Sequence, residues 1–245
     1  MGSKTVPKNK SRDPGRDPQP PHSAEAYGSA DTMKTPSLGR LLEISGPPLS
    51  IAEPTLSPSL SAAAGPHAGA LLDLLRRRNG FYAFESALHV FPTHSEGPEI
   101  GLDAWNARES WRSEYGDLAH GCLFFAEDVF GCQFAITPDG IQVFDPETGG
   151  RTPLADDMER WARLLLLDFR KLTGWPFAQE WQSRHGPMPP GKRLTPKIPF
   201  VFGGAFDLDN FFLQDAETGM RFRGRIATRI RDLPDGAEIE FQVID

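Results

Sequence analysis

The aromatic residues of this chain are distributed very unevenly, and this restricts where a hydrophobic core can form. All but one of the 25 aromatic residues lie at or beyond Phe81, the exception being Tyr27. Residues 1–66 instead hold 11 of the 23 prolines among small and polar residues. They have little apolar surface to offset the entropy cost of ordering. We therefore predict a disordered, Pro-rich tail over 1–66, with one short helical turn available at 35–44.

The first regular element is predicted directly after this tail. Residues 68–78 place four leucines in one apolar stripe, and Asn79-Gly80 supplies a left-handed stop. This pattern predicts a helix. The aromatic run 81–91 suits either a buried strand or a helical turn, and Pro92 ends it in both cases.

Further helices are predicted on both sides of the middle of the chain. Residues 102–115 carry two tryptophans and a tyrosine near one helical face. The strongest periodicity covers 158–172, which follows Asp156-Asp157 at the positive end of the helix and stops at Gly174. A short helix over 175–181 is expected next.

The central segment has the pattern of an antiparallel meander. Apolar runs at 122–128, 130–137 and 141–145 are rich in Phe, Ile and Val, and the turn sequences 138–140 and 146–150 separate or end them. Turn residues at intervals near ten favour strands over helix. We therefore predict consecutive strands joined by tight turns.

The C-terminal part begins after a proline-rich loop at 186–199, which is either a hinge or a long connection. A helical face follows at 220–230, then a turn at 234–236 and an alternating strand at 238–244. No regular strand–helix alternation is present. The predicted fold class is α+β, with an antiparallel or mixed central sheet flanked by helices.

Three segments follow from these patterns: the tail 1–66, an α+β domain 67–185, and a strand–helix–strand extension 186–245 packed on the same domain. The chain has a net charge of −7, and residues 67–245 hold 19 basic and 27 acidic residues. That balance argues against direct nucleic-acid binding. With no apolar run long enough to cross a bilayer, no leader and two cysteines, we expect a cytoplasmic protein.

Cysteine and histidine give no metal-binding pattern. Cys122 and Cys132 flank a predicted turn, which allows them to face each other across a hairpin. Their spacing is unlike a zinc site, so buried structural thiols are the better interpretation. His89, His94 and His120 do not lie at ligand intervals. No metal site is predicted from either residue type.

Catalytic and cofactor motifs are also missing from the sequence. No nucleophile elbow occurs, and the glycine pairs at 149–150 and 203–204 form no phosphate cradle. Residues 207–210 supply oxygens like part of a calcium loop, but they lack its glycine and its distal glutamate. The sequence predicts no cofactor, no metal and no enzyme.

Four carboxylates lie at the ends of the predicted strands: Glu127, Asp128, Asp145 and Glu147. Paired carboxylates can act as acid and base when their pKa values differ. The simpler interpretation is that they cap strand ends and turns. In either case they predict an acidic rim on the sheet that is suited to docking.

One cluster of basic residues stands out near the C-terminus. We interpret it as a solvated helix face, with a partner-binding stripe as the alternative. Its members are Arg221, Arg223, Arg225, Arg229 and Arg231.

Several blocks of the chain resemble a known family. The runs FYAFESALHVFP, WNARESWRSEYGDL, FFAEDVFGCQFAI and VFDPETGG resemble the SUKH (SMI/KNR-type) superfamily of bacterial immunity proteins, which also contains fungal cell-wall regulators. The resemblance covers approximately 71–182 and is most specific over 124–150. The later blocks at 203–215 and 223–241 are similar to the tail found on bacterial members.

This resemblance implies a sheet-centred domain that binds a protein, commonly a bacterial toxin. Many such toxins are nucleases with basic active sites, which an acidic inhibitor fits. We therefore expect a non-enzymatic immunity protein that neutralises a toxin encoded nearby; the alternatives are a regulatory scaffold without a toxin and, more remotely, a hydrolase. The expected partner contacts are Glu127, Asp128, Asp145 and Glu147, with Asp207 and Asp209 as further candidates.

Overall fold

The computed structural model of the protein describes residues 3–7, 36–234 and 237–242. Its strands in chain order are β1 (Ser3–Pro7), β2 (Phe81–Ala83), β3 (Leu88–Val90), β4 (Leu123–Asp128), β5 (Gln133–Thr137), β6 (Gly140–Phe144), β7 (Arg151–Ala155), β8 (Lys192–Pro196), β9 (Phe211–Asp215) and β10 (Glu238–Gln242). Its helices are α1 (Ser37–Glu43), α2 (Pro58–Ala64), α3 (Ala68–Arg77), α4 (Leu102–Trp105), α5 (Arg112–Tyr115), α6 (Met158–Leu172), α7 (Trp175–His185) and α8 (Ala216–Ile230).

A six-stranded antiparallel sheet, in the order β2-β3-β4-β5-β6-β7, forms the centre of the molecule. Each strand pairs with the next strand along the chain, so the predicted α+β class and the predicted meander are confirmed. The segment 81–91, whose type the sequence left open, is the hairpin β2–β3. Its turn places Phe84, Glu85 and Ser86 at positive φ, which a helix would not allow.

Helices and short turns cover both faces of the sheet. On one face, Trp111 packs on Phe124 at 4.9 Å between ring centroids. On the other, Trp161 of α6 packs on Phe125 at 5.0 Å and on Phe134 at 5.7 Å. Aromatic contacts at these distances add to the stabilisation from burial. The core therefore lies on both sides of the sheet.

The single helix predicted over 102–115 is wrong, because the structure has two short helices there, α4 and α5. Asn106 follows α4 and turns its side chain towards the sheet. Its Oδ1 accepts the Phe124 N–H at 2.9 Å, and its Nδ2 donates to the Phe124 carbonyl at 2.8 Å. An asparagine that bonds to backbone in this way competes with helix propagation.

The predicted disordered tail over 1–66 is wrong for residues 36–66. Here α1 and α2 bury Leu41, Leu42 and Leu60 in the main core. Glu159 of α6 accepts the N–H groups of Ser37 and Leu38 at the start of α1. A few apolar side chains are therefore enough to hold this segment. The rest of the predicted tail lies outside the described residues, except for β1, which pairs with β10.

The proline-rich loop predicted at 186–199 contains the strand β8, which pairs with β9. Leu194 N–H donates to the Val129 carbonyl at 2.9 Å, which ties this hairpin to the end of β4. The C-terminal extension thus packs on the sheet domain through a hairpin and α8. Within the described residues, no helix has both the length and the apolar character that a membrane crossing requires.

Candidate functional site

The acidic rim predicted at the ends of the strands lies inside the molecule. Glu127 is fully buried, Asp128 and Glu147 are buried, and Asp145 is half-buried. The C-terminal extension covers this end of the sheet, since Arg193 contacts Glu127 and the Val201 N–H contacts Glu147. The sequence predicted that the extension packs on the domain, but not that it packs at this end. A solvent-facing docking rim built from Glu127, Asp128 and Glu147 is therefore wrong.

Glu127 is the centre of a buried ionic cluster. Its Oε1 lies 2.9 Å from Arg193 Nε and 3.1 Å from His89 Nδ1, and its Oε2 accepts from Gln133 Nε2 at 3.1 Å. Burial acts to raise the pKa of Glu127, but the Arg193 charge and the hydrogen bonds from His89 and Gln133 outweigh it and hold that pKa below its ordinary value. The carboxylate is therefore charged, and both of its oxygens have a partner.

An outer layer closes this cluster. His89 Nε2 lies 3.3 Å from a Glu99 oxygen, and Tyr82 stacks on the His89 ring at 4.5 Å and donates its hydroxyl proton to Glu99. The same hydroxyl accepts the Gly191 N–H at 3.1 Å, and Arg193 lies over the Tyr82 ring. Burial, opposed by Arg193, raises the pKa of Tyr82 to about 12. The histidine is thus enclosed between two carboxylates.

Asp128, the next residue, is buried in a different way. Its Oδ1 accepts the N–H groups of Phe130 at 2.9 Å and Cys132 at 2.8 Å, in a turn where Gly131 has a φ of +77°. Burial raises the pKa of Asp128 to about 7, because these hydrogen bonds only partly offset it. The expectation that this carboxylate caps a turn is confirmed.

Glu147 joins the turn after β6 to the C-terminal extension. Its Oε2 accepts the Val201 N–H at 2.9 Å, and its own N–H donates to Asp145 Oδ1 at 2.8 Å. Burial raises the pKa of Glu147 to about 7, and the nearby Asp145 charge raises it further. Glu147 and Asp145 therefore act here as structural acceptors of backbone hydrogen bonds.

The basic residues of α8 are divided between the interior and the surface. Arg223 is buried and donates to the Phe130 carbonyl at 2.5 Å, so the predicted solvated face is wrong for this residue. Arg225 and Arg221 both form ion pairs with Glu114, at 3.1 and 3.9 Å. The α8 cations are largely used to hold the helix against the sheet domain.

The two cysteines do not meet across the hairpin. The register pairs Leu123 with Ile136 and Glu127 with Gln133, which places Cys122 and Cys132 at opposite ends of β4 and β5. Both thiols are free. Among the described residues, no group of three or more His, Cys, Asp or Glu side chains is placed to hold a metal ion.

The segment from residue 197 to residue 210, here called the 197–210 loop, is fixed by one buried asparagine. Asn210 Oδ1 accepts the Ile198 N–H at 2.9 Å, and its Nδ2 donates to the carbonyls of Ile198 at 3.0 Å and Ala205 at 2.9 Å. Lys197 N–H donates to the Asn210 carbonyl, which closes the loop. At Gly204 a Cβ atom would lie 1.9 Å from the Ile198 carbonyl oxygen, so the fold requires glycine there.

This loop presents an aromatic side chain beside two carboxylates. Phe206 is 52% exposed, although its ring packs on Phe177 at 4.3 Å between centroids. Asp207 and Asp209 follow it and are both exposed; Asp207 Oδ1 also accepts the Asn210 N–H at 3.1 Å and caps this turn. These side chains line an open groove of about 360 Å³. Of the predicted contacts, Asp207 and Asp209 alone are exposed.

Comparison with known proteins gives a structural likeness and no sequence family. No protein-family model matches the chain, and no curated protein sequence matches it. The crystal structure of Atu4351 from Agrobacterium tumefaciens is similar over 75% of this chain and 86% of that chain, with 12% sequence identity and a TM-score of 0.49.

Proposed function

We propose that this protein is a non-enzymatic immunity protein that binds a toxin of nuclease type and neutralises it by covering the active site or a surface beside it. The observation that carries the proposal is the 197–210 loop, which exposes Phe206, Asp207 and Asp209 along one groove. Together with the resemblance of residues 71–182 to immunity proteins, it supports a protein-binding role.

The loop has the physical properties of a preformed binding element. Aromatic side chains that fill a pocket on the partner supply most of the energy of many interfaces, and charges around them select the partner. Since the Asn210 hydrogen bonds already fix the loop, binding orders few additional residues and costs little entropy. Exposed carboxylates on a chain of net charge −7 attract a basic surface such as a phosphate-binding site.

The buried carboxylates support binding over catalysis. Glu127, Asp128 and Glu147 all accept hydrogen bonds from protein groups, and the extension covers them. A general acid or base must reach a substrate proton directly or through one water molecule. These three groups serve the fold, and the exposed loop is the better candidate for function.

The test is binding to the toxin encoded beside the gene. We expect a complex by gel filtration and protection from killing on co-expression. The double variant D207K/D209K should lower the association rate by about tenfold or more, because it reverses the steering charge. The matched control is D139K/D156K, which makes the same change of charge at two exposed residues lining a different groove.

Three outcomes would overturn parts of the proposal. Unimpaired killing together with no complex would reject the immunity role. Equal slowing in the control variant would reject the 197–210 loop as the contact. Binding to a cellular protein, with no toxin gene adjacent, would favour the regulatory scaffold.

A further inference from the structure

The outer face of α6 combines an exposed apolar side chain with several cations. The buried residues of α6 include Met158, Trp161 and Leu165, and Leu167 lies opposite this set with 71% of its surface exposed. A helical repeat of 3.6 residues places 160 and 163 on the same side as 167. The exposed basic residues of the helix are Arg160, Arg163, Arg170 and Lys171. These four and Leu167 are called the basic α6 face below.

The cations of this face contribute few contacts to the described part of the fold. None of the four forms an ion pair with another side chain in the described part of the chain, although Arg170 lies over the Trp175 ring at 5.0 Å. The cations of α8 differ, because Arg221 and Arg225 are paired with Glu114. Cations without a partner add little to the stability of the fold, and neither does the exposed leucine beside them.

Two acidic residues also belong to α6. Glu159 accepts the N–H groups that begin α1, so its charge is directed to that helix terminus. Asp168 is exposed and lies at a kink, with φ −140° and ψ 46°. The four cations therefore exceed the acidic groups of the helix, on a protein whose net charge is −7.

We propose that the basic α6 face docks a short acidic segment of a protein partner, one that carries an apolar residue among its carboxylates. Exposed apolar residues within a charged rim mark interaction sites. The sign of this face is opposite to that of the 197–210 loop, so it fits a second partner and does not depend on the toxin contact. Arg160 and Arg163 would pair with the carboxylates while Leu167 packs against the apolar residue.

The size of the face favours a short peptide segment over an extended polyanion. Charges are screened beyond about 8–10 Å at physiological salt. Asp157 caps the Arg160 N–H at the start of α6, so a short segment centred on Arg163 and Leu167 lies furthest from that acidic end. A nucleic acid or a membrane surface extends over a larger area and meets Asp156 and Asp157 in full. A phosphate backbone also has no apolar group that could pack on the exposed leucine.

The experiment uses the full chain and a fluorescent synthetic peptide, rich in Glu and Asp with one central Leu, measured by anisotropy. We expect saturable binding that weakens with added salt. R160E/R163E should lower the affinity by about tenfold or more, and L167S should lower it by a smaller factor. The matched control is R76E/R77E, which makes the same change of charge on two exposed residues of α3.

The variants separate a docking role from a structural one. Because Arg160, Arg163 and Leu167 are exposed, circular dichroism and thermal unfolding of the variants should match the wild type. Unchanged peptide binding in R160E/R163E, or an equal loss in R76E/R77E, would overturn the proposal. Tighter binding to a single-stranded oligonucleotide or to phosphatidylglycerol vesicles than to the peptide would overturn it as well.

Discussion

Two adjacent carboxylates at the end of β4 are buried by opposite means. Glu127 lies among the side chains of Arg193, His89 and Gln133, and its pKa is below the ordinary value. Asp128 receives hydrogen bonds from the backbone of a turn, and its pKa is about 7. The alternation of side chains along a strand separates the two environments. Burial by itself therefore does not decide whether a carboxyl group is charged; the cations within reach of it do.

Glu147 belongs with Asp128 in this comparison. It too accepts a backbone N–H, from Val201, and has a pKa of about 7. The protein thus has a cation-paired cluster that needs a charged carboxylate, and two turn sites that favour a neutral one. The two groups give stability at opposite ends of the pH scale.

Removing the cation from the Glu127 cluster should have the largest effect. R193M leaves a charged carboxylate buried without its main partner, and we expect the free energy of unfolding to fall by about 3–5 kcal/mol. Chemical denaturation monitored by tryptophan fluorescence measures it. The double variant E127Q/R193M should recover part of the loss, because no unpaired charge is left. A double variant no more stable than R193M would show that Arg193 acts by packing alone.

The next largest effect should be the pH dependence of stability, which distinguishes the Glu127 cluster from the two turn carboxylates. The folded state holds Asp128 protonated up to about pH 7, whereas its ordinary value is 3.8, so the folded protein binds more protons between these values. The Asp128 contribution to stability is therefore present at low pH and is lost as pH rises through about 7. At about 1.4 kcal/mol for each pKa unit, that contribution is at most about 4 kcal/mol.

The variant D128N tests whether the Asp128 contribution to stability falls as pH rises. Its amide oxygen can still accept from Phe130 and Cys132, but it carries no charge at any pH. We expect D128N to be more stable than the wild type by about 1–3 kcal/mol near pH 8 and close to it near pH 4. E127Q should show the opposite trend, because the lowered pKa of Glu127 gives stability that is present above its ordinary pKa and is lost as pH falls below that value through the lowered one. Parallel curves for D128N and the wild type would contradict the assignment.

The outer layer of the Glu127 cluster should contribute least. Y82F removes the hydroxyl that donates to Glu99 and accepts from Gly191. We expect a loss of about 1–2 kcal/mol, the usual cost of leaving buried hydrogen-bonding groups unsatisfied. Thermal unfolding at neutral pH measures it. A loss as large as that of R193M would mean that the outer layer, and not the Arg193 charge, holds Glu127.

The sheet was predictable from the sequence because its strands are contiguous and separated by strong turn residues. Pro138 to Gly140 and the turn after Phe144 mark strand ends locally, and local pattern is what sequence analysis detects. Helix α6 was predictable for the same reason, from its apolar period and from the cap that Asp157 supplies to Arg160 N–H.

The Glu127 cluster was not predictable, because its members come from separate parts of the chain. Arg193 lies in β8, where lysine, arginine, threonine and proline surround a single leucine and give no strand pattern. No local signal connects it with His89 or Glu127. The order of residues 36–66 was missed for a related reason, since α1 and α2 depend on contacts with α6 and the sheet. Asp207 and Asp209 lie in an exposed turn, and the local sequence is enough to predict that they are exposed.

The nearest-neighbour order of the six strands has a consequence for how the chain folds during synthesis. Each strand from β2 to β7 can pair as soon as its successor leaves the ribosome, without a long loop to close. Arg193 is translated only after all of them. Until it arrives, Glu127 lacks its main cation, and a charged carboxylate without a partner is costly to bury. We therefore expect the hairpin that carries Glu127 to pack tightly only after β8 has been translated.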